Sequence, residues 1–221
     1  MDINLNKLRD NGWIFVSTKK LINQDNLLQL ALDLGEPIPS RLNSTLIDIL
    51  VPMDANKAKP RSLSAVYGVG QFPLHTDTAY IKIPARYVLL HAKQIEGEVQ
   101  PTTLLDLGKI GFSQDLEERL DRCLYTIANS RHSFLATLRG YSNIHRKKWI
   151  RFDSSCMRPT NKEASVTMNE LNESISKVKL EIINWSQGDI LIIDNWRCLH
   201  GRGVANSSAK AVRVIERVTI L

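Results

Sequence analysis

The chain has 221 residues, of which 43% are hydrophobic and 24% are charged, and this is enough to bury the core of one domain. No apolar run approaches the ~20 residues of a membrane span, and residues 1–7 lack the apolar segment of a signal peptide, so the sequence argues against a membrane or secreted protein. The net charge is +6, and anionic partners are one explanation of it. Three widely spaced cysteines argue against a disulfide framework and for a reducing, cytoplasmic location.

The N-terminal half is predicted to alternate between short helices and strands. A helix is expected over 5–11 and a strand over 13–16. Apolar residues then recur at helical spacing between Asn23, a candidate N-cap, and Gly35, a candidate stop. Further strands are predicted over 45–51, 86–93 and 102–107, a helix over 113–120, and loops or bends over 35–39, 54–60 and 67–70. His91, inside one of these strands, is expected to be a core histidine.

The C-terminal half is predicted to contain mostly strands. Strands are expected over 149–153, 179–185, 190–195 and 213–221, and a helix over 165–177. Many short strands separated by turns, with few helices and no internal repeat, indicate a single mainly β domain over 1–221. We expect a barrel or jelly-roll core with flanking helices.

Basic residues are concentrated in the stretch 131–158. They are Arg131, Arg139, Arg146, Lys147, Lys148, Arg151 and Arg158. We interpret this stretch as a solvated face, with an anionic substrate or a nucleic-acid surface as alternatives. Nucleic acid is the disfavoured partner, because no helix-turn-helix, zinc-finger or aromatic RNA-binding signature accompanies the charge. The sequence does not indicate an oligomeric state.

A His-x-Asp pair, His75 and Asp77, lies in the segment 72–77. In an extended chain, residues i and i+2 point to the same side, so an imidazole nitrogen and a carboxylate oxygen can reach one metal ion. Two histidines and one carboxylate, with the other positions open, is the arrangement of non-haem Fe(II) oxygenases. The pair alone is also compatible with a surface turn, so the interpretation needs a third ligand.

His200, which follows a predicted apolar strand, is the candidate third ligand. Arg213 and Arg217 share one face of the last predicted strand, because they are four residues apart. Arginines that point into a partly apolar interior need anionic partners, and a dicarboxylate cosubstrate would supply one. Surface arginines on an edge strand are the alternative.

Taken in order, these segments resemble the Fe(II)/2-oxoglutarate-dependent dioxygenases of the taurine dioxygenase and clavaminate synthase-like superfamily. The resemblance runs from about Gly35 to Leu221 and rests on 72–77, 86–90, 103–104, 188–189, 194–202 and 213–217. Each motif is modest alone, and their ordered combination is specific. The resemblance implies a double-stranded β-helix core, which is a jelly roll of the cupin type, with helices packed outside.

The resemblance also implies an activity and an iron site. Fe(II), 2-oxoglutarate and O2 would take part in the hydroxylation of an unactivated C–H bond, with release of succinate and CO2. The substrate would be a small molecule such as an amino acid or a natural-product intermediate. By the same resemblance, His75, Asp77 and His200 match the iron ligands and the catalytic centre.

Further residues are carried over from the family pattern. Arg213 matches the arginine that binds the remote carboxylate of 2-oxoglutarate, and Thr103 matches the threonine that helps it, with Thr102 as an alternative. Arg217 matches a second arginine, which contacts substrate or the metal-proximal end of the cosubstrate. The Gly-Gly that usually precedes the threonine is absent here.

Four residues are candidates for contact with substrate. Ser64 and Tyr67 lie shortly before the metal motif, and Arg151 and Asp153 lie on a predicted strand, where Asp153 could receive an amine. Ordinary surface or core polarity is the alternative for each. Two alternatives to the whole assignment are the same chemistry on a macromolecule and a catalytically silent metal- or ligand-binding barrel.

Overall fold

The computed structural model describes residues 5–18, 20–41, 44–58, 63–128, 132–204 and 211–221. The helices are α1 (Leu5–Asn11), α2 (Gln24–Leu32), α3 (Leu63–Tyr67), α4 (Gln114–Arg122) and α5 (Lys162–Ser176). The strands are β1 (Trp13–Val16), β2 (Pro37–Ile38), β3 (Ile47–Leu50), β4 (Phe72–His75), β5 (Tyr87–Glu96), β6 (Thr102–Asp106), β7 (Leu124–Ala128), β8 (Ser133–Thr137), β9 (Arg139–Ser142), β10 (Lys147–Ile150), β11 (Met157–Pro159), β12 (Glu181–Ile183), β13 (Ile190–Asp194), β14 (Cys198–Arg202) and β15 (Val212–Ile220).

Two antiparallel sheets form the core. The larger has the strand order β1-β13-β5-β15-β2, with β3 also paired to β15, and the smaller has the order β12-β6-β14-β4. Side chains alternate along each strand, so Leu191 and Ile193 of β13 enter the same cluster as Leu104 of β6 and Cys198 of β14. The two sheets therefore pack face to face, and we call the space between them the interior.

Helices cover the outer faces of both sheets. Asn23 caps α2 by accepting a hydrogen bond from the Asn26 N–H at 2.8 Å, and the apolar side of this helix packs on Ile190 and Ile192 of the larger sheet. The outer side of the smaller sheet, represented by Leu199, packs on a cluster built from α4, α5 and β7. A mainly β fold with flanking helices is thus confirmed.

Most predicted elements are confirmed to within a few residues, and the departures are few. Residues 151–153 were predicted to continue a strand, but β10 ends at Ile150. The predicted loop 35–39 contains the two-residue strand β2. Helix α3 and strands β7, β8, β9, β11 and β14 were not predicted, and β4 was predicted only as extended chain. Arg131, residues 1–4 and residues 59–60, which belong to predicted segments, lie outside the described residues.

His91 is confirmed as a core histidine. It is fully buried, and its Nδ1 lies 3.0 Å from a carboxylate oxygen of Glu216 on the neighbouring strand. Lys93 and Gln24 donate to the other oxygen of Glu216, each at 2.9 Å. In the described part of the chain, no helix is both long enough and apolar enough to cross a membrane.

Candidate active site

His75 and Asp77 lie at the end of β4 and are 8% and 5% exposed. His75 Nδ1 lies 3.0 Å from the Pro73 carbonyl oxygen, to which it donates in the Nδ1–H tautomer, and this leaves Nε2 as the coordinating nitrogen. The Asn195 side chain holds Asp77 from both sides. Its oxygen accepts from the Asp77 N–H at 2.8 Å, and its Nδ2 donates to the Asp77 carbonyl at 3.1 Å. The motif is therefore fixed by the end of a distant strand.

His200 stands opposite His75 in the register of β14 and β4. The two ring centroids are 4.7 Å apart, and His200 Nε2 lies 3.8 Å from Asp77 Oδ2. The three residues predicted from the sequence as metal ligands are thus brought together, and we call them the ligand cluster. His200 Nδ1 is buried without a hydrogen-bond partner among the described residues.

The Asp77 carboxylate faces Arg217. Nη1 of Arg217 donates to both Asp77 oxygens, at 2.8 and 2.9 Å, while its Nη2 donates to Asp48 at 2.8 Å. Burial opposes the charge on Asp77, but Arg217 and then the two histidines outweigh it and hold the pKa of Asp77 below its usual value. Burial also opposes the charge on Arg217, and the two carboxylates raise its pKa above the usual value. The contact of Arg217 with substrate or cosubstrate stays a prediction.

The donor set fits a divalent first-row metal ion. Burial, followed by the proximity of His75, lowers the pKa of His200 to about 3, so the imidazole is neutral and can coordinate. Among the described residues, no group of three histidine, cysteine or acidic side chains is arranged to hold a metal ion as it stands, and in the ligand cluster both Asp77 oxygens are directed at Arg217. Two ligands bound at right angles, each at ~2.1 Å, lie about 3 Å apart. The 3.8 Å between His200 Nε2 and Asp77 Oδ2 exceeds that spacing by about 0.8 Å.

Arg213 lies on the interior face of β15 and is 9% exposed. Its Nε donates to the Gln100 carbonyl at 3.0 Å, and its Nη2 donates to Thr102 Oγ1 at 3.3 Å. The sequence prediction preferred Thr103, but Thr103 lies on the opposite face of β6, where a Cβ added to Gly201 would be 3.1 Å from its Oγ1. Because side chains alternate along a strand, Thr102, the alternative, is the threonine beside Arg213, and the binding of 2-oxoglutarate by either threonine stays a prediction.

Arg202 is a neighbour of Arg213 that sequence reasoning did not single out as a site residue. Its guanidinium lies 3.8 Å from the Phe72 ring centroid, and it donates to the carbonyls of Gly70 and Gly68 at 2.8 and 2.5 Å. Burial lowers the pKa of Arg202 to about 10, and burial together with the charge of Arg202 lowers the pKa of Arg213 to about 10. No described carboxylate counteracts either shift. We call this pair the arginine pocket.

Arg151 was predicted to contact substrate, and the structure gives it a different partner. It is 2% exposed, and its guanidinium donates to the carbonyls of Ala79, Ile81 and Lys82, the last two at 2.6 and 2.7 Å. These carbonyls belong to the segment that follows Asp77. The terminal nitrogens of Arg151 thus hold the loop behind the ligand cluster, and its Nε is buried without a hydrogen-bond partner among the described residues. Its contact with substrate stays a prediction.

Asp153 lies close to the metal motif. Thr76, between the two ligands, points the other way and donates through its hydroxyl to the Ile150 carbonyl at 3.0 Å and through its N–H to the Phe152 carbonyl at 2.7 Å. Asp153 comes next and is 6% exposed, and its Oδ1 accepts a hydrogen bond from the Ser155 N–H at 2.8 Å. The backbone of residues 150–152 thus runs beside the segment that carries the ligands, and the Asp153 carboxylate binds the turn that follows it.

Ser64 and Tyr67 lie on α3, just before the turn that Arg202 holds. Both are partly exposed, and the Tyr67 ring centroid lies 6.0 Å from that of Phe72. The structure therefore connects α3 to the arginine pocket through backbone, and it shows no direct contact of these two side chains with the ligand cluster.

The basic stretch 131–158 does not form one continuous basic face in its described part. Arg139 pairs with Glu117 and Asp121, Lys147 pairs with Asp194, and Arg151 is buried against backbone. Lys148 and Arg146 are exposed, whereas Arg131 lies outside the described residues. The predicted solvated face is thus only partly correct.

No family model and no curated protein matches the sequence. Solved structures do match. An asparagine oxygenase in complex with Fe(II), 2S,3S-3-hydroxyasparagine and succinate has a TM-score of 0.74 at 18% identity, covering 98% of this chain and 77% of that one. PvcB from Pseudomonas aeruginosa, an Fe, α-ketoglutarate-dependent oxygenase, has a TM-score of 0.70 at 18% identity, covering 98% and 78%.

A mutant of the non-heme iron oxygenase OrfP, in complex with (3S)-hydroxy-L-Arg, is similar with a TM-score of 0.68 at 22% identity, over 88% of this chain. The present chain spans only 63% of the length of that OrfP chain. These structures have little sequence in common with the chain, so the similarity concerns the fold. The chain has the fold of the Fe/2-oxoglutarate-dependent oxygenases, as its sequence motifs predict.

Proposed function

We propose that the chain is a non-haem Fe(II)- and 2-oxoglutarate-dependent oxygenase that hydroxylates an unactivated C–H bond of a small molecule. In this proposal residues 1–221 form a single domain, and the two core sheets are the halves of a double-stranded β-helix. The observation that carries it is the combination of two features in one interior. A ligand cluster of two histidines and a carboxylate lies at the end of β4 and on β14, and the arginine pocket on β14 and β15 has no described counter-anion.

The chain's residues would divide the work as follows. His75, His200 and Asp77 would hold the metal ion, and Asn195 would keep the Asp77 backbone in place. Bound Fe(II) and 2-oxoglutarate would supply the O2 activation that hydroxylation requires, with succinate and CO2 as co-products. Burial of all three ligands keeps bulk water from the reacting atoms.

The arginine pocket would receive the remote carboxylate of 2-oxoglutarate. Buried arginines without a carboxylate partner are unfavourable, and an incoming anion removes that penalty. Arg213 offers a planar fork suited to a carboxylate, and Thr102 Oγ1, 3.3 Å from its Nη2, can add a hydroxyl donor. Arg202 adds a second positive charge nearby.

An amino acid is the substrate class that we propose. Asp153 would accept its amine, and Ser64 and Tyr67 on α3 would line the approach to it. The proposal is supported by the bound molecules of two similar structures, hydroxyasparagine and hydroxyarginine, both of which are hydroxylated amino acids. A cytoplasmic location stays a prediction, to which the three free thiols are favourable.

The test has an anaerobic and an aerobic part. Fe(II) and 2-oxoglutarate, added without O2 to protein shown to bind both, should give a weak visible metal-to-ligand charge-transfer band. A panel of amino acids is then screened in air for substrate-dependent conversion of 2-oxoglutarate to succinate. Absence of the band would contradict the cosubstrate assignment, and a band without turnover on any amino acid would contradict the substrate class.

A further inference from the structure

Arg217 is shared between two carboxylates, only one of which belongs to the ligand cluster. The other is Asp48 on β3, which stands directly opposite Arg217 in the pairing of β3 with β15. Asp48 Oδ2 accepts from Nη2 at 2.8 Å and from Nε at 3.3 Å, while Nη1 goes to Asp77. One guanidinium thus joins a metal-ligand candidate to a residue on an edge strand.

Strand geometry turns the Asp48 side chain into the interior. Its neighbour Ile47 packs with the cluster on the helix-covered face, and Leu50 packs with the cluster between the sheets. Because side chains alternate, Asp48 and Leu50 share the interior face. The Asp48 side chain is 21% exposed and that of Arg217 is 14% exposed, so their ion pair is only partly screened by water.

The position of Arg217 creates a competition for Asp77. A guanidinium at 2.8 and 2.9 Å from both carboxylate oxygens occupies the sites that a metal ion would use. Without a second counter-charge, Arg217 would form its ion pair with Asp77 alone and would bind this carboxylate more strongly. Asp48 supplies the second counter-charge through a charge-assisted pair with Nε and Nη2, the other edge of the guanidinium.

We propose that Asp48 is a positioning residue that holds Arg217 and draws its charge away from Asp77, so that Asp77 can bind a divalent metal ion. The inference rests on the proposed function, since it takes the ligand cluster to be a metal site. It assigns Asp48 an indirect role, because Asp48 acts on Asp77 through Arg217.

Titration with Mn(II), followed by the electron paramagnetic resonance signal of the free ion, tests this role without turnover. Asp48→Asn should raise the Mn(II) Kd about tenfold, the effect of losing one charge-assisted contact. In an Arg217→Met background the same substitution should change the Kd by no more than about twofold, because the guanidinium that transmits the effect is gone. Asp48→Glu should restore most of the affinity, because it keeps the charge.

Asp106→Asn is the matched control. Asp106 also binds an arginine fork, accepting from Arg197 Nε at 2.7 Å and Nη2 at 2.5 Å, and its remaining hydrogen bond comes from the Gly108 N–H. This variant should lose stability in thermal melting and keep the wild-type Mn(II) Kd. Asp48→Ser is a second neutral variant that should reproduce the effect of Asp48→Asn.

The possible outcomes separate the two proposals. Absence of Mn(II) binding in the wild-type protein would contradict the metal site itself. Binding in the wild type that is unchanged in folded Asp48→Asn would overturn the role of Asp48 alone. An equal loss in the Arg217→Met background would mean that Asp48 attracts the metal directly and not through Arg217. An equal loss of Mn(II) affinity in Asp106→Asn would show that the effect of Asp48→Asn comes from general destabilisation of the fold.

Discussion

The ligand cluster and the arginine pocket differ in whether their buried charges have partners of opposite sign. At the ligand cluster, Arg217 lies between two carboxylates, so each of these charged groups has a partner of opposite sign within the protein. In the arginine pocket, the partners of Arg202 and Arg213 among the described residues are neutral oxygens, and burial lowers the pKa of both to about 10. The difference indicates which charges the fold satisfies by itself and which it leaves for an anionic ligand.

The largest effect is expected at the ligand cluster. His200→Ala should abolish metal binding and the anaerobic charge-transfer band, because only two of three protein ligands remain. Metal content after reconstitution and Mn(II) titration measure the result. A variant with wild-type metal affinity would show that the third ligand lies elsewhere.

The next largest effect is expected on the free energy of unfolding, which should fall more for a variant of Arg217 than for a variant of Arg213. Arg217→Met leaves Asp77 and Asp48 without their counter-charge, so the metal-free protein should lose about 3 kcal/mol of unfolding free energy, as for other broken buried pairs. Arg213→Met removes a buried charge that no described carboxylate compensates, and it should lose clearly less. Urea unfolding measures the unfolding free energy of both variants. Equal losses of unfolding free energy would contradict the electrostatic difference between the ligand cluster and the arginine pocket.

The affinity for 2-oxoglutarate, in contrast to the stability, should depend strongly on Arg213. Arg213→Ala should raise its Kd by about 100-fold or more under anaerobic conditions, because a buried carboxylate loses its charged partner. Lysine at this position should restore little of the affinity, since it offers a point charge without the planar fork. Isothermal titration measures the three proteins. A change below about threefold in Arg213→Ala would place the anion site elsewhere.

The smallest effect distinguishes two adjacent threonines. Thr102→Val should weaken 2-oxoglutarate binding by about tenfold, because the hydroxyl beside Arg213 is lost, and Thr103→Val should leave it unchanged. The two variants are chemically matched, so each is the control of the other. The opposite ranking would mean that Thr103 faces the cosubstrate, and that the register of β6 differs by one residue.

The same pair of threonines shows where sequence reasoning stops. The alternation of β15 could be predicted, because Arg213, Ile215 and Arg217 fall on one side of a strand with a strong β pattern. The structure places Arg213 and Arg217 in the interior, as predicted. Thr102 and Thr103 both start a strand after an irregular loop, and neither periodicity nor the absent Gly-Gly fixes which one points inward. A shift of β6 by one residue would exchange the threonine that contacts Arg213.

Long-range pairing explains the other omissions. Asp48 is one charged residue in a predicted strand, and its role depends on the alignment of β3 with β15, which nothing within β3 encodes. Arg151 looked available on a predicted strand, yet it is committed to the carbonyls of a loop about 70 residues earlier in the sequence. Its hydrogen-bond partners are backbone atoms, which carry no sequence signature.

The wide separation of the ligands along the chain has a consequence for biosynthesis. His75 and His200 are partners in adjacent strands, and β15, the last strand of the described chain, pairs with β5 near the middle of the larger sheet. At ~5–20 residues per second, a ribosome needs roughly 6–25 s to add the 125 residues from one histidine to the other. During that interval the proposed ligands His75 and Asp77 lack their third partner. The proposed metal site would therefore be complete only after translation has passed β14.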